Sequence, residues 1–509
     1  VIVLETVAWP IQARLAWVRN WRRLIVANTD TLVSLVQHEV RKPEGEALTG
    51  DVMPLLASCT WHEQHATKLL APRSLRSRPL WLLGQRHQVT RPPVGTVAII
   101  ATWNYPVQLL GIQLLQALVA GNRVVVKPSE NAPRTQAYLL KLAIQAGLPE
   151  GQLRWTPATR DAGPRLLASE RFDHVIFTGS TRVGTEVAAW AASTLTPTTL
   201  ELSGDDSAIV LADADTKLAA RSIWQAVTMN SGQTCMAPRR AIVSAGAYPS
   251  FVASLSFLAA GAKAQPLIDT RSAGLCRDAA NAAIEAGGRS ILGVDELNTT
   301  PSIQRQTEPR PRDEASFRAM AIVDMPESSI ERERSIFGSL LLVYPASDDA
   351  HALKMHARCR HRLNTAIFTR DVARARTLAP QLGSGFVTIN DAHIPTAHPG
   401  ASITGTGASG WGPSRGELGL LSLTRPVVVS TSSALIRTPT NEPNAKELSI
   451  LRRALRWLYQ PSGEGRRIAP DEPISDNSTT PPDHAASNHA HASNHPHQPS
   501  RLPAQGPAR

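Results

Sequence analysis

Gly95-Thr-Val-Ala-Ile-Ile-Ala-Thr-Trp-Asn-Tyr-Pro106 runs into an apolar stretch ending near 119, and Ala120-Gly-Asn-Arg-Val-Val-Val-Lys127 follows at once. The Val/Ile-rich runs at 96–101 and 123–126 are short and bounded by Gly and Pro, which predicts strands, while 107–119 has the length of a helix. The alternation continues with a helix at 135–146, a strand at 174–177, a helix at 181–192 and strands at 198–202 and 207–211. Strands that read as continuous apolar runs between helices belong to parallel sheets covered on both faces, so the expected class is α/β. A second α/β region begins near Cys235, with strands expected at 241–243, 340–343, 366–369 and 386–389.

Outward from this centre, residues 11–68 place Leu15, Val18, Trp21, Leu24 and Ile25, then Leu32, Leu35 and Val36, at the three-to-four spacing of amphipathic helices. Residues 80–90 read as a strand or hairpin, and the polar, Pro-rich 299–315 as an exposed loop. Past 430 a short basic helix is expected at 446–459, then a disordered Pro/Ser/Asn/His tail. In that helix Leu448, Leu451, Leu455 and Leu458 face away from Arg452, Arg453 and Arg456, the pattern of a helix packed on protein or resting on a membrane surface.

With 509 residues, 42% of them hydrophobic, the chain can build more than one core. The apolar stretch 97–120 is broken by Asn104, Gln108, Gln113 and Gln116, which argues against a membrane span. No secretory leader is read at the start, and Cys59, Cys235, Cys276 and Cys359 lack paired spacing, so a reducing, cytoplasmic setting is expected without disulfides or a structural metal. Five tail histidines (His484, His489, His491, His495, His497) read as a biased tract, and no required metal is expected. The net charge of +11 comes from dispersed Arg and Lys without interleaved aromatics, which weighs against nucleic acid as a partner.

Chemistry concentrates at strand ends, where α/β sheets bind ligands. Asn104 follows the first strand, either as a hydrogen-bond donor to a ligand or as a cap of the next helix. Lys127 and Glu130 follow the second; they suit a ribose, with the carboxylate repelling a 2′-phosphate, or else form a surface ion pair. Val175-Ile-Phe-Thr-Gly-Ser-Thr-Arg-Val-Gly184 ends a strand at Gly179 and opens a helix at Ser180, whose bare amides suit a pyrophosphate; Gly179 and Gly184 permit close approach. Glu201 closes an apolar strand, where an unpaired, desolvated carboxylate is a candidate general base or else a buried structural Glu. Cys235, in Asn230-Ser-Gly-Gln-Thr-Cys-Met236, sits in a small polar loop that leaves sulfur accessible, although a cysteine taken alone is more often structural. Thiolate, amide donor, base and phosphate-binding helix end together are what aldehyde oxidation requires.

Trp103-Asn104-Tyr105-Pro106, Lys127-Pro-Ser-Glu130, Phe177-Thr-Gly-Ser-Thr-Arg-Val-Gly184, Glu201-Leu-Ser-Gly204 and Gly232-Gln-Thr-Cys235, in this order, resemble the aldehyde dehydrogenase superfamily from about 15 to 429. The resemblance implies a Rossmann-like cofactor domain, an α/β catalytic domain and a small oligomerisation sheet. Their expected bounds are a helical lead-in at 1–79, an oligomerisation hairpin at 80–92, the cofactor domain at 93–204 and the thiol domain at 205–398. A closing segment at 399–440 and the basic helix with its tail at 441–509 complete the chain. It further implies Cys235 as nucleophile, Glu201 as base, Asn104 as oxyanion donor, and Trp103, Lys127, Ser129, Glu130, Gly179, Ser180, Gly184 and Phe337 around NAD, with NADP as the alternative. A homodimer or homotetramer joined through strands near 80–90 and 426–429 is implied as well.

Departures from the family pattern are local. Ser335-Ile-Phe-Gly-Ser339 resembles the family's Glu-Ile-Phe-Gly-Pro, so Ser335 stands where a Glu would hold the nicotinamide ribose. Ser402-Ile-Thr-Gly405 replaces Pro-Phe-Gly-Gly, and Asp205-Asp206 stands where Lys is common, whereas Ser409-Gly-Trp-Gly412 and Arg415-Gly-Glu417 keep the closing pattern. The expected reaction is oxidation of an aldehyde to a carboxylic acid, with hydrolysis rather than transfer to coenzyme A because the base is present. The rival is a catalytically weak scaffold, motivated by Ser335 and the altered closing motif.

Overall fold

The computed structural model describes residues 9–76, 82, 84–292, 315–332, 336–392, 398–433 and 442–459. Ser335, most of the 299–315 segment and the tail beyond 459 with its histidines lie outside the described residues. Two compact units are distinguished, 1–435 and 436–509.

The first unit holds two large sheets. In the first, strands run in the order Leu153–Trp155, Arg123–Lys127, Thr96–Ile100, His174–Gly179, Thr198–Leu202, all parallel, with Gly410–Trp411 added antiparallel at the Thr198–Leu202 edge. Chain order reverses between Thr96–Ile100 and His174–Gly179, which opens a crevice at the carboxyl ends of these two strands. Val97, Ala98 and Ile99 are fully buried because helices cover both faces, which is why the strand is apolar throughout. Helix Gln108–Ala120 is buried along its whole length and therefore has no polar face. The lead-in consists of Ile11–Ala27, Thr29–Val40 and Met53–Leu70, which lay Leu15, Val18, Trp21, Ile25, Leu32 and Val36 into the same core. Trp17 Nε1 donates to the Ala143 carbonyl at 2.8 Å, anchoring the first of them to helix Pro133–Gln145.

The second sheet is ordered Arg289–Ser290, Met320–Val323, Leu340–Ala346, Pro238–Ser244, Asp206–Val210, Asn364–Phe368, Phe386–Ile389, parallel except for its first strand. Within 80–90 the described residues hold the strand Gln85–Thr90; it lies between Arg73–Ser74 and Val427–Ser432 in a three-stranded antiparallel sheet. In the second unit, helix Ala445–Tyr459 has no buried residue, and Leu448, Leu451 and Leu455 are exposed. Among the described residues no helix is long and apolar enough to cross a membrane.

Candidate active site

Cys235 lies between the end of helix Thr216–Thr228 and strand Pro238–Ser244, on a loop whose backbone is forced out of the helical region. Asn230, Ser231 and Gly232 carry φ of 52°, 56° and 74°, three left-handed residues in succession, a conformation that persists only where neighbours over-determine it. Those neighbours are visible. Asn230 Nδ2 donates to the carbonyls of Gln233 (3.1 Å) and Asn104 (3.0 Å), and buried Arg239 donates to the carbonyls of Gly338 (2.7 Å), Gly232 (2.5 Å) and Thr234 (3.2 Å). Across the loop, a Cβ at Gly204 would stand 2.1 Å from the Cys235 carbonyl oxygen, so only glycine lets the turn after Glu201 reach the thiol loop.

Asn104 is not the cap of the following helix; that position belongs to Val107. Its side chain, 3% exposed, accepts from Thr102 Oγ1 (3.1 Å) and donates one amide hydrogen to the Gln233 carbonyl (3.1 Å). Tyr105 next to it shares a 2.7 Å hydrogen bond with Thr234, so with the Asn230–Asn104 bond the amide loop and the thiol loop are tied at three points. Glu201 is buried on its strand, and the expectation of an unpaired carboxylate is corrected: Ser414 Oγ donates to Oε2 at 3.2 Å. Strand Gly410–Trp411, paired with Glu201 and Leu200, brings Ser414 and Arg415 to this place.

Two cavities meet here. One, of about 590 Å³, is lined by Trp103, Asn104, Gly179, Ser180, Phe337 and His361; the other, of about 240 Å³, by Pro54, Tyr105, Leu109, Met229, Met236 and Arg415. Cys235 and Glu201 are the two residues that line both. Burial pushes the Cys235 thiol up to about 12, Glu201 and Asp206 add to the rise, and Arg415 opposes it. Asp206 is also pushed well above the carboxylate range by burial, although the Leu363 amide donates to it at 2.9 Å.

In the larger cavity Phe337 meets Trp103 edge to face, with ring centroids 5.6 Å apart. Ser180 caps helix Thr181–Thr194, its Oγ accepting from the Val183 amide at 3.4 Å, and Ser180, Thr181 and Arg182 line the cavity. Gly184 sits one turn further in, where a Cβ would collide with Leu202, so its close approach is of helix to strand. Lys127, Ser129 and Glu130 follow the neighbouring strand, outside this lining. Lys127 and Glu130 form the ion pair foreseen as the alternative, at 2.7 Å, but with the Lys127 side chain 6% exposed it is not a solvated one; Arg160 joins Glu130 at 3.3 Å. Ser129 Oγ accepts from the Asn131 amide at 3.3 Å. Lys42, Asp51, Asn230, Ser414 and Arg415 also build this site; Asn230 and Arg415 stand in the thiol-loop and closing motifs, whereas nothing in the local sequence singles out Lys42, Asp51 or Ser414. Among the described residues no group of three or more His, Cys, Asp or Glu is arranged to hold a metal.

The aldehyde dehydrogenase family matches residues 5–429 of the chain. The 4,4'-diapolycopene aldehyde oxidase of Methylomonas sp is 30% identical over 442 residues, covering 86% of this chain and 80% of that protein. Geranial dehydrogenase of Castellaniella defragrans is 32% identical over 336 residues, 65% of this chain and 68% of that protein. The solved structure of a Mycobacterium tuberculosis aldehyde dehydrogenase complexed with NAD+ superposes with a TM-score of 0.76 at 25% identity, over 86% of this chain and 88% of that one. So extended a match makes this chain a member of the aldehyde dehydrogenase family, an NAD(P)-dependent enzyme that oxidises an aldehyde to the carboxylic acid.

Proposed function

We propose that Cys235 is the nucleophile, Glu201 the base that activates water and Asn104 the oxyanion donor. The observation that carries this reading is that Cys235 and Glu201 line both cavities at their junction, so one reacting carbon can face a cofactor on one side and a substrate channel on the other. The larger cavity suits a dinucleotide: it occupies the crevice where strand order reverses, offers the bare amides of helix Thr181–Thr194 to a pyrophosphate, and presents Phe337 and Trp103 to a flat ring. The nicotinamide, when bound, supplies the hydride acceptor.

In the reaction the Cys235 thiolate adds to the aldehyde carbon, and the negative oxygen takes hydrogen bonds from Asn104 Nδ2 and the Cys235 backbone N–H. Loss of hydride from that carbon leaves a thioester on Sγ. Glu201 then removes a proton from water, which attacks the thioester, and the acid departs with return of the thiolate. Ser414 Oγ donates a hydrogen bond to Glu201 Oε2. The Glu130 carboxylate supports NAD over NADP through repulsion of a 2′-phosphate. On this assignment 93–204 holds cofactor, 205–398 the thiol and 399–440 closes the site.

The smaller cavity is walled by Pro54, Leu109, Met229 and Met236, which favours an aldehyde on an apolar chain. The names of the relatives acting on diapolycopene aldehydes and geranial support an isoprenoid-type aldehyde as the substrate class. NADH formation from short, aromatic, isoprenoid and acid-bearing aldehydes tests this. The expected result is highest kcat/KM for isoprenoid aldehydes, no turnover by Cys235→Ala, and an accumulating thioester in Glu201→Gln. Turnover by Cys235→Ala removes the nucleophile assignment, and a preference for acid-bearing aldehydes removes the substrate assignment. We also propose a dimer or tetramer joined through the three-stranded sheet.

A further inference from the structure

Arg415 adopts φ 63° and ψ 169°, a region of backbone space that is essentially reserved for glycine. Its neighbour Gly416, at φ 54°, also takes a positive value, so the chain has a glycine at the second of two strained positions and an arginine at the first. The conformation is clamped from three sides. Gln116 Oε1 accepts from the Arg415 amide (3.0 Å), Gln116 Nε2 donates to the Gly416 carbonyl (3.0 Å), and Ser402 Oγ donates to the Arg415 carbonyl (3.0 Å). The residue is 6% exposed and, among the described residues, is the one cation lining the smaller cavity, where it faces Glu201, Cys235 and Tyr105. A buried guanidinium on a strained backbone pays neither cost by packing alone, since glycine would relieve the strain and an apolar side chain the desolvation.

We propose that Arg415 is the fixed cation of the active site: its guanidinium stabilises the Cys235 thiolate and holds the Glu201 carboxylate beside it. This rests on Cys235 being the nucleophile. Of the other described charged groups around the thiol, Arg239 alone adds positive charge, and it lines neither cavity. Glu201 and Asp206 oppose thiolate formation, and the buried Tyr105 phenol is held neutral and bonded to Thr234. Glu46, on the cavity wall, accepts from the Asn230 amide, and Arg239 directs its hydrogen bonds to the Gly338, Gly232 and Thr234 carbonyls. A thiol that burial drives up to about 12 is almost wholly protonated near neutrality, so a cation placed against it sets how much nucleophile the site contains. Arg415 is thus a positioning residue acting through Cys235 and Glu201.

The test is the pH dependence of Cys235 alkylation by iodoacetamide in the full chain, read on the Cys235 peptide by mass spectrometry, so that buried Cys59, Cys276 and Cys359 do not interfere. Arg415→Gly suits the backbone and should keep the fold, checked by its thermal midpoint. Its alkylation profile should move to higher pH, with the rate below both midpoints falling about tenfold. Arg415→Lys should restore most of that rate, and added guanidinium ion should restore part of it in Arg415→Gly. Superimposable profiles for the intact protein and Arg415→Gly overturn the inference. So does an unchanged profile accompanied by a raised KM for acid-bearing aldehydes alone, which would make Arg415 a substrate anchor. Aldehyde turnover by Cys235→Ala would instead remove the nucleophile reading beneath it, so the two failures are distinguishable.

Discussion

Asn104 owes its position to residues far from it in sequence. Its carbonyl accepts from Lys42 Nζ at 2.9 Å and from Asn230 Nδ2 at 3.0 Å, which leaves the side-chain amide fixed between the Gln233 carbonyl and the larger cavity. Lys42 is fully buried, 2.5 Å from Asp51 Oδ2 and 3.7 Å above the Tyr105 ring; burial lowers its pKa and Asp51 counteracts this. Asp51 in turn sits in a π-helical turn, Leu48–Val52, and accepts the Val107 and Gln108 amides, so one buried ion pair holds both ends of the Asn104 loop. Removing one partner of such a pair leaves a buried charge uncompensated, so Lys42→Met should lower unfolding free energy by about 3–5 kcal/mol in a urea titration. Asn104→Ala should keep the fold yet lower kcat about 100-fold with little change in KM, and wild-type turnover in that variant would end its assignment as oxyanion donor. Asn104, Glu201 and Cys235 were legible because each stands in a local motif at a strand end or loop. Lys42 was not: it meets Asn104 across 62 positions of chain, and a lysine just past the end of an amphipathic helix carries no mark of burial.

Elements were legible in proportion to their length and apolarity. Strand 198–202 was read at its observed bounds, and expected strand 207–211 is displaced by one residue to Asp206–Val210, since runs buried on both faces announce themselves. Gly410–Trp411 could not be read, because two residues hold no periodicity, yet it brings Ser414 and Arg415 to Glu201. Val427–Ser432 was anticipated only through family resemblance, and its exposure explains why. All six residues are exposed, with Val427, Val428 and Val429 at 39%, 59% and 48%, so no buried face disciplines the pattern. The strand pairs with Gln85–Thr90 on one side and, among the described strands, ends its sheet on the other. An exposed apolar edge of this kind invites pairing with a second chain. If the proposed oligomer uses it, Val428→Lys should shift the protein toward monomer in multi-angle light scattering; a monomeric parent would remove the proposal altogether.

Acid should act on the folded molecule at several separated places at once. Burial lowers His62 in the lead-in, His174 in the first sheet and His356 over the second sheet from 6.5 to about 4. Each therefore folds neutral, with His174 Nε2 bonded to Thr199 Oγ1 at 2.9 Å and His356 Nε2 to the Leu382 carbonyl at 3.0 Å. Between pH 6.5 and 4 the unfolded chain binds more protons than the folded one, so stability rises with pH across that window. The contribution is complete above about pH 6.5 and lost as pH falls toward 4. Asp213 and Asp349 have the opposite chemistry and a later window: hydrogen bonds from Thr369, Ser244 and nearby amides hold them below 3.8, so their contribution fades only beneath that value. Burial acts in the opposite sense on Asp206 and Glu46, whose raised pKa values favour the folded chain as pH falls, so the histidine contribution is read by difference: the urea midpoint of His174→Gln should decline less between pH 6.5 and 4.5 than that of the intact protein. Parallel midpoint profiles would mean that His174 does not stay neutral in the folded protein, and that the polar contact it makes inside the first sheet admits a proton without loss of packing.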